Sequence, residues 1–222
     1  TLFPYTTLFR SIACAESRRA DDARVGISAR QFEQLQRRVS GKKNAAKKTP
    51  DNPATLHSVI LGVDPSLRGT GFGVIRLGKN PPDTLDQGTI KCPKKWDRSQ
   101  CLAAISKALR EVIARHKPTV CAIEGLFYAQ NVKTALTMGE ARGAAMAAIA
   151  ECGLDIFEIA PRKVKQSIVG YGNAQKIAVA KMVQRMLVLK ELPAPDAADA
   201  LALALTHSHL HNRFAIDPAQ KI

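Results

Sequence analysis

The stretch Ser58–Leu77, SVILGVDPSLRGTGFGVIRL, decides the fold. It begins with an apolar run from Val59 to Val63, and the carboxylate of Asp64 follows directly. An apolar run without polar alternation predicts a strand that is covered on both faces, as in an α/β sheet. The glycines of Gly69–Gly73 resemble a dinucleotide-binding loop, but they lead into a second strand and not into a helix. We therefore interpret them as hairpin glycines.

Apolar periodicity extends this pattern along the chain. It predicts further strands over Gly71–Leu77, Thr84–Ile90, Val120–Ile123 and Ile156–Ile159, and helices over Ser99–His116, Asn131–Cys152, Arg162–Val169, Ala174–Leu189 and Pro195–Leu205. Strands that alternate with helices in this order are typical of a mixed α/β sheet. The sequence therefore predicts an α/β fold with a mixed five-stranded sheet flanked by helices.

The residues before Ser58 have a different character. Thr1–Ser11 resembles the translation of a sequencing-adapter oligonucleotide and is left out of the functional interpretation. Residues 12–57 are predicted to be a basic, largely disordered extension, with a short helix over Ser28–Val39 and a polar linker over Gly41–Pro53. This extension is either a solvated tail or an arm that tethers DNA. A globular domain over 58–211 and a C-terminal tail over 212–222 complete the predicted organisation.

Composition restricts the class of partner. Lys and Arg number 33 against 19 Asp and Glu, for a net charge of +14, which favours nucleic acid or a membrane surface. No apolar run approaches the roughly 18 residues of a membrane-spanning helix. The five cysteines contain no C-x-x-C pair, so neither a disulfide framework nor a zinc site is expected. This cysteine usage suits a reducing cytoplasm, which is the expected location.

Carboxylates occur where the strands end. Asp64 and Glu124 each close an apolar strand, and Asp196 and Asp199 lie three residues apart at the head of the last helix, on one helical face. If the two strands are parallel neighbours, all four acids meet at one edge of the sheet. Taken singly, each acid has another explanation, since Asp is common in turns and Asp196 can be the N-cap of its helix.

Four converging carboxylates imply bound cations. They repel one another, which raises their proton affinity unless positive charge neutralises them. Ligand sets made only of oxygen select Mg²⁺ or Mn²⁺ over zinc. Two such ions about 3.5–4 Å apart activate water and stabilise the leaving oxygen in phosphodiester hydrolysis. The acids therefore predict a two-metal nuclease site.

Several motifs resemble, in order and spacing, the RuvC family of Holliday-junction resolvases. They are ILGVDPSLRGTGFGVI from Ile60, AIEGLF from Ala122, GEARG from Gly139, VKQSIVG from Val164, AQK from Ala174 and DAADALALALTH from Asp196. The resemblance covers about Ser58–His209 and implies an RNase H-like fold. It also implies catalytic, metal-binding carboxylates at Asp64, Glu124, Asp196 and Asp199, with two Mg²⁺ ions that Mn²⁺ can replace. The implied activity is paired nicking of four-way junction DNA by a homodimer that works with the RuvAB branch-migration complex.

The same resemblance implies DNA contacts at Phe127, Lys165 and Lys176. Phe127 either stacks on an unpaired base or packs beneath its own loop. Lys176 lies in the first turn of a helix, where the macrodipole disfavours a cation, and this misfit favours a phosphate partner. The small side chains of Gly139–Ala148 predict a helix that approaches its sheet, or a second copy of the chain, closely.

The chain departs from the common family pattern at two motif positions and in its basic N-terminal section, which has no family counterpart, and other assignments stay open. Ser66-Leu67 replaces the usual Gly-Ser, and Gly125 replaces a frequent Gln; neither change removes a carboxylate. The first alternative is another RNase H-like nuclease that acts on a different branched DNA. The second is an actin-like ATP-binding protein, which would need a further phosphate motif and a duplicated domain. The third is a non-catalytic basic DNA-binding protein, which four acids in the DNA-facing cleft argue against.

The histidines His207, His209 and His211 form a separate pattern near the end of the last helix. Imidazoles at i and i+4 can bind a transition metal. Cationic side chains are also favoured at a helix C-terminus, and the sequence favours that second explanation.

Overall fold

Strands and helices alternate as the sequence predicts in the computed structural model, which describes residues 57–125, 131–211 and 220–222. The strands are β1 (Val59–Asp64), β2 (Gly69–Arg76), β3 (Asp83–Lys91), β4 (Val120–Glu124), β5 (Asp155–Ile159) and β6 (Gln220–Lys221). The helices are α1 (Arg98–His116), α2 (Val132–Glu151), α3 (Pro161–Val169), α4 (Lys176–Met186) and α5 (Pro195–Leu210). The predicted strands and helices from Val59 to Leu205 are thus confirmed, with only their ends displaced.

The strands form one mixed sheet in the order β3-β2-β1-β4-β5-β6. The central strand β1 pairs in parallel with β4, and β4 in parallel with β5, while β2 and β3 are antiparallel additions on one side. The predicted mixed five-stranded sheet is confirmed. The segment predicted as a tail also contributes β6, whose two residues are too few for any periodicity in the sequence to reveal.

Helices cover both faces of the sheet, as the unbroken apolar strands require. On one face, Leu61 and Val63 of β1 pack with buried residues of α1 and α2. On the other face, Ile60 packs with buried residues of α3, α4 and α5. Side chains alternate between faces along a strand, so Asp64 and Glu124 face the side that carries α5.

The helix α5 lies directly against the backbone of β1 and β2. A Cβ placed at Gly62 would overlap the carbonyl oxygen of Ala200, and one placed at Gly71 would overlap that of Asp196. At Gly73 a Cβ would lie 2.7 Å from the Cδ2 atom of Leu201. Only glycine permits this approach, which places the first turn of α5 over the end of β1.

The predictions for the N-terminal section lie almost entirely outside the described residues. This holds for Thr1–Ser11, for the short helix over Ser28–Val39 and for the linker over Gly41–Pro53. His57 is described, and its Nδ1 atom lies 2.8 Å from Nε2 of His207. None of the helices in the described part of the chain combines the length and the apolar character needed to cross a membrane.

A cluster of aromatic rings surrounds the end of α5. The ring of His207 stacks on His211 with a centroid distance of 3.9 Å and lies against His57 and Phe157. Burial, together with the charges of His211 and His57, lowers the pKa of His207 to about 3. Within the described residues, no group of three or more His, Cys, Asp or Glu side chains is arranged to hold a metal ion. His207 is therefore a buried, neutral core residue.

We expect the contribution of His207 to the free energy of unfolding to decrease as the pH falls from about 6.5 towards 3. The unfolded chain binds a proton at the ordinary histidine pKa of 6.5, whereas the folded chain resists protonation of His207 until about pH 3. Urea denaturation at several pH values measures this dependence. The substitution His207→Gln should make it shallower over the same window, and an unchanged pH dependence would contradict the assignment.

Candidate active site

Two of the predicted acids meet at the ends of parallel strands. The register pairs Val63 of β1 with Ile123 of β4, so Asp64 and Glu124 occupy equivalent positions one residue further on. Their carboxyl groups are hydrogen-bonded to each other. Burial raises the pKa of Asp64, and burial together with the charge of Asp64 raises the pKa of Glu124 to about 8. At neutral pH this pair therefore retains a proton when no cation is bound.

The other two acids are brought to the same edge by α5. The N-cap of α5 is Ala194, so Asp196 is not the cap that the sequence allowed but a residue of the first turn. Its Oδ2 atom lies 3.1 Å from the position that a Cβ of Gly69 would occupy. The charges of Asp199 and Asp196 both raise the pKa of Asp64. Asp64 thus interacts with each of the other three acids.

Lys176 provides positive charge at this edge. Its Nζ atom lies 2.9 Å from Oδ2 of Asp199, and this contact raises the pKa of the ammonium group. The same ammonium lowers the pKa of Asp64 and of Glu124. The cation that the helix dipole disfavours is thus paired with a carboxylate, a partner that sequence reasoning did not anticipate because Asp199 lies 23 residues away.

Of the remaining predicted DNA contacts, Lys165 lies within the described residues. Lys165 is half-buried on α3 and forms no ion pair within residues 57–125, 131–211 and 220–222. Phe127 falls in residues 126–130, outside the described residues. Among the described residues, the structure therefore brings Lys176, and not Lys165, to a carboxylate.

The donor set fits a hard divalent cation by its chemistry. Apart from Lys176, the charged side chains that shift the pKa of Asp64 and Glu124 are carboxylates, and oxygen ligands are those that Mg²⁺ and Mn²⁺ prefer. Asp64 is hydrogen-bonded to Glu124, and Asp199 forms an ion pair with Lys176. In this arrangement, the described residues contain no group of three or more possible ligands that is placed to hold a metal ion. The proton shared by Asp64 and Glu124 and the ammonium group of Lys176 neutralise part of the negative charge here, a role that divalent cations would take over.

Arg142 supports this site from behind and was not assigned a role from the sequence. It is buried on α2, and its guanidinium donates through Nη1 to the backbone carbonyl of Glu124 and through Nη2 to the carboxylate of Glu158. On the other side, the backbone N–H of Gly125 donates to the carbonyl of Ile159 at 2.9 Å. The carbonyl of Glu124 is therefore held by α2, and the backbone N–H that follows it is held by β5.

Gly125 makes room for this arrangement. A Cβ at position 125 would lie 2.9 Å from Oε1 of Glu158, so the absence of a side chain lets the Glu158 carboxylate cross the end of β4. A buried guanidinium is costly unless it is paired and hydrogen-bonded, and Glu158 satisfies that requirement. The GEARG motif, which contains Arg142, is recognisable in the sequence. Apolar periodicity does not show which groups the long side chain of Arg142 contacts.

Comparison with known proteins identifies the family of this chain. The protein-family model described as crossover junction endodeoxyribonuclease RuvC matches residues 60–207. The chain belongs to the RuvC family. The matched segment contains all four acids, and the RuvC resemblance and RNase H-like fold predicted from the sequence are confirmed.

Individual RuvC relatives match most of their own length. The crossover junction endodeoxyribonuclease RuvC of Akkermansia muciniphila is 44% identical over 159 residues, which cover 72% of this chain and 92% of the relative. The solved structure of Thermus thermophilus RuvC in complex with a Holliday junction substrate has a TM-score of 0.68 at 32% identity, covering 75% of this chain and all of that one. The yeast mitochondrial Holliday junction resolvase shares the fold, with a TM-score of 0.52 at 13% identity, covering 80% of this chain and 86% of that one.

We expect Arg142→Met to reduce the rate of junction cleavage at saturating protein by about tenfold or more, which corresponds to about 1.4 kcal/mol per factor of ten. The reason is that the Glu124 carbonyl loses its donor and Glu158 its partner. Arg110→Met is the matched control. Arg110 also forms an ion pair with α2, through Glu151, but this pair is exposed and lies at the C-terminal end of α2. Added guanidinium ion should partly restore the cleavage rate of the Arg142 variant and should not change that of the Arg110 variant. Equal rates for the two variants would show that Arg142 does not position Glu124.

Proposed function

We propose that this RuvC-family chain cleaves four-way DNA junctions by hydrolysing phosphodiester bonds at Asp64, Glu124, Asp196 and Asp199. The observation that carries the proposal is the meeting of acids from two parallel strands and one helix at a single edge, where burial and mutual repulsion raise pKa values. Such an arrangement is costly for folding and is typical of sites that perform chemistry.

Two alternatives fit the site less well. A DNA-binding protein without activity has no use for four carboxylates, because they repel the phosphates that it must bind. An actin-like nucleotide site would need space above the glycines that follow Asp64. Gly71 and Gly73 instead lie against the backbone and side chains of α5, so no phosphate can reach them.

We further propose that the four acids hold two Mg²⁺ ions, which Mn²⁺ can replace. When bound, such ions supply an activated water and stabilise charge on the scissile phosphate. The protonated Asp64–Glu124 pair must lose its proton to act as a ligand, so high pH favours the active form. Lys176, when released from Asp199, can donate to a phosphate oxygen and orient the strand to be cut.

Lys165 and Phe127 are proposed to contact the DNA around this centre. Lys165 lies on α3, which leaves the sheet at the same edge after β5. Phe127 follows Glu124 by three residues, and base stacking on an aromatic ring contributes about 1–3 kcal/mol. Bases at a junction crossover are already poorly stacked, so little energy is needed to expose one.

Replacing each acid by its amide tests the catalytic proposal. We expect Asp64→Asn, Glu124→Gln, Asp196→Asn and Asp199→Asn to abolish cleavage of a synthetic four-way junction while leaving binding largely intact, because affinity comes from phosphate contacts. Gel electrophoresis of end-labelled junction measures cleavage, and a mobility shift in chelator measures binding. Asp155→Asn is the control, because Asp155 begins β5 at the opposite edge and pairs with Lys221. A variant that retains near-normal cleavage would remove that acid from the proposed site.

A homodimer through the outer face of α2 is also proposed. The side chains of Val132 and Leu136 are 72% and 63% exposed, which is unusual for apolar residues at helical spacing. Further along, Gly139 and Gly143 have nothing within 4 Å of the position of an added Cβ. This smooth face can pack against its own copy around a two-fold axis, which would present two acid clusters to the two equivalent strands of a junction.

A charge on this face should separate the proposed dimer. We expect Gly143→Glu to give a monomer in analytical ultracentrifugation without lowering the thermal midpoint substantially, because the position is open. Ala103→Glu adds the same charge at an exposed position of α1 and should leave the oligomeric state unchanged. A monomeric unaltered chain, or a Gly143 variant that stays dimeric, would contradict the proposed interface.

Two further proposals follow from family membership and cysteine chemistry. The RuvAB branch-migration complex is the proposed partner at the junction, supported by the chain's place in the RuvC family. The cytoplasm is the proposed location, supported by Cys92, Cys101, Cys121 and Cys152, which are free thiols.

A further inference from the structure

The connection between β3 and α1 lies at the same edge of the sheet as the acids. The register pairs Asp64 with Gly71, Gly71 with Thr89, and Gly69 with Lys91, so Lys91 extends beyond the row that contains Asp64. Residues directly opposite in antiparallel strands point to the same face. Lys91 therefore shares the face of Gly69 against which the carboxylate of Asp196 lies.

The connection is a rigid turn. The backbone N–H of Trp96 donates to the carbonyl of Pro93 at 3.0 Å, which makes Lys94 and Lys95 the two central residues of a β-turn. Arg68 fastens this turn, since its Nη1 donates to the Pro93 carbonyl at 2.7 Å and to the Trp96 carbonyl at 3.1 Å. The Trp96 side chain packs against the core on the α1 side. The backbone that carries the two lysines is thus fixed by hydrogen bonds on both sides of them.

The positive charge of this turn is not neutralised within the described residues. Lys91, Lys94 and Lys95 are exposed, and none forms an ion pair with the acids of 57–125, 131–211 or 220–222. Arg98, at the end of the turn, is instead paired with Glu140 of α2 at 2.9 Å. Lys176, the lysine nearest the acids, is likewise already paired with Asp199.

We propose that Lys91, Lys94 and Lys95 bind the phosphate backbone of the duplex arm that adjoins the cleavage point. The proposal rests on the junction-cleaving function above. Four carboxylates repel the DNA at the point where it must be closest, and unpaired lysines on the same edge supply the compensating attraction. Because ammonium groups bind phosphates as point charges, the surface contributes affinity without reading sequence.

The test compares two triple substitutions with the same change in charge. Lys91, Lys94 and Lys95 are changed to Gln in one variant, and Lys79, Lys107 and Lys117, which are exposed on α1 and at the opposite edge, are changed to Gln in the control. Binding to a four-way junction is measured in chelator across a series of salt concentrations. Each lost phosphate contact reduces the slope of log affinity against log salt by about 0.9.

We expect the turn variant to lose affinity by about tenfold or more and to reduce that slope by about 2–3, while the control changes both far less. A third variant with Arg at all three turn positions should retain the unaltered slope, because charge is preserved. Equal slopes for the two Gln variants would overturn the proposal. Absence of cleavage by the unaltered chain would instead contradict the proposed function. The salt dependence of binding would still be measured in that case, because binding is assayed in chelator and does not require cleavage.

Discussion

The direct contact between the backbone of α5 and the glycines of β1 and β2 is the constraint on which the site depends. Gly62 and Gly71 let the helix approach until its carbonyl groups occupy the space that side chains would need. This approach fixes Asp196 and Asp199 over the end of β1, beside Asp64. A methyl group at either glycine would push the helix outward and move two of the four acids away from the other two.

Bringing the acids together has an electrostatic cost that the rest of the edge offsets. The pair formed by Asp64 and Glu124 retains a proton, Asp199 is paired with Lys176, and Arg142 holds the backbone of Glu124 from α2. Divalent cations would replace the proton and the ammonium group as the source of positive charge. The same structure thus explains both why the site needs cations and how it stays folded without them.

Sequence reasoning located the acids because each stands at the end of an element, and element ends are visible in apolar periodicity. It interpreted the glycines of Gly69–Gly73 as hairpin glycines, and they do lie in the second strand of the β1–β2 hairpin. What the sequence did not show is that α5 rests on this strand through Asp196 and Leu201. Long-range partners such as Arg142 with Glu158 and Lys176 with Asp199 leave no local pattern. The turn at Lys94 escaped notice because its anchor, Arg68, lies in another loop.

Cleavage of a synthetic four-way junction beside a linear duplex of the same sequence tests the central claim most directly. Both substrates are end-labelled and incubated with the full chain, with Mg²⁺ and with excess chelator, and the nicks are mapped on denaturing gels. We expect paired, symmetric nicks near the crossover that a ligase can seal, only with Mg²⁺, while the duplex is spared. Undiminished cleavage in chelator would contradict the cation site, and equal cutting of both substrates would contradict junction resolution in favour of another RNase H-like nuclease.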